Sequence, residues 1–137
     1  MRLLIADYSA LIVERLIASL EAIKGVEIVD RAGTVEKASE ALRRLRPDVV
    51  ILDMQMPGGT GLDVLASMKR DQVSCVVIVL TNFAYPQYRR KCLASGATFF
   101  LDKSTEFEKV GEVLRNLLTS LALRTGPTRM TPSGNEV

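Results

Sequence analysis

The chain alternates between two hydrophobic periods. Leu3-Leu4-Ile5-Ala6 is a continuous apolar run, the pattern of a strand covered on both faces. Ser9 then stands where a helix N-cap belongs, and Ile12, Leu16, Leu20 and Ile23 follow at helical spacing until Gly25. Val26 to Val29 reads as a second strand. Thr34 caps a second helix with Val35, Ala38, Leu42 and Leu45 on one face, and Pro47 marks its end. Val49-Val50-Ile51-Leu52 is a third strand closed by Asp53, and Pro57-Gly58-Gly59-Thr60-Gly61 is a loop. Leu62, Leu65 and Met68 suit a third helix. Cys75 to Leu80, the most β-rich run, predicts a fourth, central strand. Pro86 starts a fourth helix and Gly96 stops it. Ala97 to Leu101 is a fifth strand, and Phe107, Val110, Leu114, Leu117 and Leu121 mark a last amphipathic helix.

Five strands alternating with five helices predict an α/β fold with a parallel, doubly wound sheet. From Arg124 the pattern stops, and Gly126, Pro127, Pro132 and Gly134 among Thr and Ser read as a disordered tail. The 137 residues suit one domain able to bury a core without staples. Composition mostly excludes. With no histidine, histidine metal sites, Ser-His-Asp triads and Cys-His dyads are ruled out. Two cysteines, Cys75 and Cys92, are too few for a disulfide scaffold or a cysteine-rich zinc site, and both read as small buried hydrophobes. A net charge of +2 is too balanced for a nucleic-acid footprint. Asp7 ends the first apolar run too early for a signal peptide, and no stretch is long enough to span a bilayer. The expectation is a reduced, cytoplasmic protein without membrane contact.

In an open parallel sheet, ligand sites lie beyond the carboxyl ends of the strands. The residues there are Asp7 and Tyr8, Asp53, Thr81 and Asn82, and Asp102 and Lys103. Singly, each has an ordinary reading as a turn former, cap or solvated strand end. Together, two carboxylates, a hydroxyl and an ammonium from four strands suit phosphoryl chemistry. A carboxylate can form an acyl phosphate, nearby acids can hold Mg²⁺, and the ammonium and hydroxyl can bind the transferred oxygens.

Three segments then carry a resemblance. Val49-Val50-Ile51-Leu52-Asp53-Met54-Gln55-Met56-Pro57-Gly58-Gly59-Thr60-Gly61-Leu62, Val79-Leu80-Thr81-Asn82 and Gly96-Ala97-Thr98-Phe99-Phe100-Leu101-Asp102-Lys103 occur in the order and spacing of the receiver domain of two-component response regulators, the CheY-like superfamily. The likeness runs over about residues 1 to 122. It implies a sheet of order 2-1-3-4-5 flanked by five helices, with a receiver domain at 1–123 and the tail at 124–137. It implies that Asp53 accepts a phosphoryl group from a histidine kinase or histidine phosphotransfer protein, that Lys103 binds that group and that Thr81 closes on it. Asp7, Asp53 and the backbone carbonyl of Gln55 would hold Mg²⁺. Phe100, three residues before the lysine, takes the switch-aromatic position and would turn inward as Thr81 moves; the plainer alternative is a core or surface strand aromatic. The helix 4–strand 5–helix 5 face, with Tyr85, Tyr88, Arg89, Arg90, Phe99 and Phe100, would meet a downstream protein. Arg89-Arg90-Lys91 is either a patch for an acidic partner or a solvated helix face. With no output domain after the receiver, the expectation is a single-domain response regulator without a DNA-binding unit, a monomer or weak dimer. Such a chain catalyses at most its own phosphorylation and dephosphorylation.

Two departures qualify the resemblance. Receivers usually carry two adjacent acids after the first strand, and here Tyr8 replaces the second. A phenol is neutral at pH 7 and a poor Mg²⁺ ligand. Either Mg²⁺ binding is weakened and phosphorylation slowed, or Tyr8 fills the metal space and the domain is a phosphorylation-independent pseudo-receiver. Ser104 also stands where proline often follows the lysine, which leaves that peptide geometry open. A flavodoxin-like nucleotide or flavin binder fits the fold, but Asp7-Tyr8-Ser9-Ala10 is acidic and glycine-free, unlike a phosphate cradle.

Overall fold

Leu3 to Ala6, Val49 to Leu52 and Val77 to Thr81 offer no polar face to water, and each lies buried within the sheet. The computed structural model describes residues 1–124. Five strands form one parallel sheet, β1 (Arg2–Ala6), β2 (Glu27–Ala32), β3 (Val49–Leu52), β6 (Val76–Thr81) and β7 (Phe99–Asp102). Their order is β2-β1-β3-β6-β7, the doubly wound arrangement expected. Two short strands, β4 (Gln55–Met56) and β5 (Gly59–Thr60), pair antiparallel inside the segment that sequence pattern treats as plain loop. Gly58 and Gly59 turn that hairpin at φ 93° and 146°, where a side chain is strained.

Alternation along each strand sends side chains to opposite layers. Leu3, Ile5, Val49, Ile51, Ile78 and Leu80 join the core under α1 (Ala10–Leu20) and α5 (Lys109–Arg124). Leu4, Ala6, Val50, Leu52, Val77 and Val79 join the core under α2 (Val35–Leu45), α3 (Gly61–Arg70) and α4 (Pro86–Ala94). The helices start where their caps predict. The Ser9 hydroxyl accepts the Ile12 N–H at 3.3 Å, and Thr34 accepts the Lys37 N–H at 3.1 Å. Thr60 and Asp63 close a capping box on α3, and Pro86 occupies the first turn of α4.

Boundaries differ where hydrophobicity is a poor guide. β2 runs to Ala32, three residues past the predicted end, because an edge strand leaves Asp30 and Arg31 to solvent and its apolar signal stops before its ladder. α1 ends at Leu20 although Ile23, on the same period, is buried beyond it. α5 begins at Lys109, after Phe107, and reaches Arg124, where the predicted tail starts; the rest of that tail, 125–137, lies outside the described residues. Both cysteines are free, Cys92 buried and Cys75 half-buried. Burial pushes both thiols up, Cys75 to about 12. Among the described residues no helix is long and apolar enough to cross a membrane.

Candidate functional site

The sheet's last rungs build the site. The Asp7 N–H donates to the Ala32 carbonyl (3.0 Å), the Asp53 N–H to Ala6 (2.9 Å) and the Lys103 N–H to Thr81 (2.8 Å). Each chemical residue is therefore held by its own backbone at the carboxyl edge of the sheet, one step past the apolar strand. Of the expected residues, Asp7, Asp53, Thr81 and Lys103 are buried, whereas Gln55 is exposed.

The Lys103 side chain, only 5% exposed, reaches across from β7. Its Nζ donates to Asp7 Oδ2 at 2.8 Å and to Asp53 Oδ2 at 3.1 Å. The other oxygens are also engaged. Asp7 Oδ1 accepts the Ser9 N–H at 2.9 Å, and Asp53 Oδ1 accepts the Met54 N–H at 2.7 Å. Two carboxylates thus share one ammonium, leaving a surplus of one negative charge in a buried cluster. Burial pushes the Asp53 carboxyl above its ordinary range; Lys103 opposes that rise and Asp7 adds to it. Asp53 is thus a carboxylate with little access to water, in a cluster that carries surplus negative charge.

The Thr81 hydroxyl accepts the Phe83 N–H at 3.0 Å, which points it along the segment leading to α4. Gln55 lies opposite Thr60 in the β4–β5 hairpin, while the Gly61 N–H donates to Met54 O at 2.9 Å. Antiparallel pairs alternate, so the Gln55–Thr60 pair is the one without ladder bonds, and the β4–β5 ladder does not use the Gln55 carbonyl. The donor set is then two carboxylates and a carbonyl, hard oxygens with surplus negative charge. It suits a hard divalent cation that keeps several waters, one acid short of three. Among the described residues, no group of three His, Cys, Asp or Glu stands ready to hold a metal.

Tyr8 is 66% exposed, and the space between the two carboxylates is held by the Lys103 ammonium and not by the phenol. Tyr8 instead lines a surface cavity of about 210 Å³ with Asp7, Glu14, Arg31 and Gly33. Asp102 turns away from the cluster; its Oδ1 accepts the Ser104 hydroxyl and N–H, which hold its carboxyl below the ordinary range. The Lys103–Ser104 peptide is trans, since no cis bond occurs among the described residues. Gly61, read from the sequence only as a loop residue, has a steric role beside the site. A Cβ there would lie 2.8 Å from the Asp53 carbonyl oxygen, so only glycine lets α3 start against the Asp53 backbone.

The expected outer face needs one correction. Phe100 does not present itself to solvent: it is 5% exposed and already packed in the core under α3 and α4. Strand alternation sends Phe99 to the α1–α5 side instead. Tyr85 stays exposed, its ring 5.8 Å from that of Tyr88, and Arg89 is tied down by a 3.2 Å bond to the Phe100 carbonyl.

The response regulator receiver domain family matches residues 3–115. A transcriptional regulatory protein, DesR of Bacillus subtilis, is 31% identical over 93 residues, covering 68% of this chain and 46% of that protein. A protein-glutamate methylesterase/protein-glutamine glutaminase of Treponema denticola is 32% identical over 130 residues, covering 90% of this chain and 35% of that protein. The chain thus spans between a third and a half of the length of these two relatives. A Borrelia burgdorferi CheX–CheY–BeF₃–Mg²⁺ complex contains a chain similar in structure, with TM-score 0.75, 27% identity and coverage of 88% of this chain and 89% of that one. The receiver domain of a NarL from Mycobacterium tuberculosis shares the fold with TM-score 0.79 at 24% identity, covering 86% of this chain and 95% of that one.

Proposed function

The chain belongs to the response regulator receiver domain family, and we propose that it serves there as a phosphoacceptor, with Asp53 taking a phosphoryl group from a histidine kinase or histidine phosphotransfer protein. The observation that carries this reading is the buried Asp53 carboxylate, held 3.1 Å from the Lys103 ammonium in a cluster with surplus negative charge. A carboxylate so placed is a poorly solvated nucleophile, and an ammonium beside it stands ready for anionic oxygens.

In the step proposed, an Asp53 carboxylate oxygen forms a bond to phosphorus as the bond from phosphorus to the donor's imidazole nitrogen breaks. The imidazole leaves with that electron pair and takes up a proton. Lys103 then exchanges a carboxylate contact for a phosphoryl oxygen. The Thr81 hydroxyl releases the Phe83 N–H and turns to the same group, and α4 feels the change through that segment. Mg²⁺, when held by Asp7, Asp53 and the Gln55 carbonyl, supplies positive charge to the transferred oxygens. With Tyr8 in place of an acid, that site is weakened. The Mg²⁺ and BeF₃ named for the Borrelia burgdorferi complex support the reading. Output runs through the face formed by α4, β7 and α5 to a protein partner, in the cytoplasm, where phosphohistidine donors act.

A phosphate-independent pseudo-receiver is the second reading. It is favoured by Lys103 already bonding both carboxylates and by the missing acid at Tyr8. Incubation with Mg²⁺ and phosphoramidate, followed by intact mass, separates the two. One added phosphoryl group on the wild type and none on Asp53→Asn supports the phosphoacceptor. No addition at high Mg²⁺, with a protein phosphodonor also failing, supports the pseudo-receiver.

A further inference from the structure

Lys103 must stay extended across the site, yet the ladder that holds its backbone ends at its own N–H. Beyond it comes Ser104, so the turn into α5 must be held in another way. A carboxylate does so. Glu106 Oε1 accepts the Asp102 N–H at 2.9 Å, and the Glu106 N–H donates to the Asp102 carbonyl at 2.7 Å. These two bonds close a reciprocal ring over residues 102–106, with Lys103 inside it. Asp102 Oδ1 accepts both the N–H (2.9 Å) and the hydroxyl (2.7 Å) of Ser104, fixing the residue directly after the lysine. The outer Glu106 oxygen is anchored by Lys109 Nζ at 2.9 Å, from the first turn of α5. The clasp therefore fastens the chain on both sides of Lys103 to the helix that follows.

We propose that Glu106 is a positioning residue for the Lys103 ammonium, setting where that charge meets the transferred phosphoryl group. The inference rests on the phosphoacceptor reading. Glu106 touches neither phosphate nor metal; it acts through the backbone of Asp102 and Lys103. Charge-assisted bonds to backbone N–H groups are strong enough for this task. Small displacements of a positioned group lower rates steeply.

The test is the rate of phosphorylation by phosphoramidate across a Mg²⁺ titration, read by intact mass, for wild type, Glu106→Ala, Glu106→Gln and Lys109→Ala. Glutamine keeps an oxygen for the Asp102 N–H, whereas alanine removes it. The maximal rate of Glu106→Ala is expected to fall roughly tenfold, with Glu106→Gln within about threefold of wild type. Its half-saturating Mg²⁺ concentration is expected not to rise, because a displaced ammonium competes less for the two carboxylates. Lys109→Ala, at an exposed position, is expected to fall between wild type and Glu106→Ala, and it keeps the test readable if Glu106→Ala folds poorly. An unchanged rate in Glu106→Ala overturns the inference. So does a loss that glutamine does not rescue, or a parallel rise in the Mg²⁺ requirement, which marks a site loosened as a whole. If the wild type takes no phosphoryl group from phosphoramidate or from a protein phosphodonor, the phosphoacceptor reading fails and this inference fails with it.

Discussion

Replacing Asp53 with asparagine is expected to stabilise the metal-free fold, although it removes the candidate nucleophile. Two forces favour or oppose the Asp53 charge through its neighbours. At 3.1 Å, attraction to the Lys103 ammonium is worth about 5 kcal/mol at an effective dielectric constant of about 20. Asp7 and Asp53 both contact that one nitrogen, so their facing oxygens lie within about 6 Å of each other, and their repulsion takes back about 3 kcal/mol. The remaining 2 kcal/mol or so must offset the desolvation of a carboxylate that is only 8% exposed, a cost of several kcal/mol. Burial leads, which is why the Asp53 carboxyl is raised. Asparagine removes that cost, leaves Lys103 paired with Asp7, and is expected to add about 1–2 kcal/mol. The pH dependence has a definite sign. In the unfolded chain the group ionises near about pH 4, and in the folded chain at higher pH, so the folded state holds a proton that the unfolded state has lost. Wild-type stability from this group is full below the unfolded value and is lost as pH rises through the folded one. The advantage of Asp53→Asn therefore grows from about pH 4 to a plateau. Urea unfolding followed by far-ultraviolet circular dichroism, in chelator, at several pH values, measures it. The difference should shrink when Mg²⁺ is added. A loss of more than about 1 kcal/mol in Asp53→Asn at pH 7 in chelator would refute the charge balance drawn here.

Two further outcomes follow from the same geometry. Tyr8→Asp places a second acid at the site mouth and is expected to tighten Mg²⁺ binding about tenfold by titration calorimetry; unchanged affinity would refute the proposal that Tyr8 weakens the site. Phe100→Ala empties a position in the core under α3 and α4 and is expected to cost about 3–5 kcal/mol in urea unfolding, whereas a loss below about 1 kcal/mol would mean that the ring is not held inside.

The parts of this fold that were legible in the sequence are those that water cannot share. β1, β3 and β6 are apolar on both faces, so their extents could be read almost to the residue. β2 could not, because its outer edge faces solvent and tolerates Asp30 and Arg31. The ends of α1 and α5 failed for the converse reason: Ile23 and Phe107 keep the helical period but are packed from turns that no longer belong to a helix. Alternation assigns Phe99 and Phe100 to opposite faces, but not how deeply each face covers its ring: Phe100 is buried under α3 and α4, whereas Phe99 is only half-buried on the α1–α5 side.

The candidate site was legible for a different reason. Parallel strands all end on one edge, so any residue just after an apolar run must lie near the others of its kind, whatever its side chain does. Asp7, Asp53, Thr81 and Lys103 share that edge, and so does Asp102, which bonds Ser104 instead of joining the lysine. What separates them is charge bookkeeping in a dry space. A buried ammonium goes where carboxylates are least solvated, so Lys103 lies between Asp7 and Asp53. Asp102, half-exposed, finds cheaper partners in Ser104 and water. Tyr8 follows the same logic. Its side chain stands in solvent while the lysine occupies the gap between the carboxylates. A divalent cation binding at these carboxylates would compete with that ammonium for the same two oxygens.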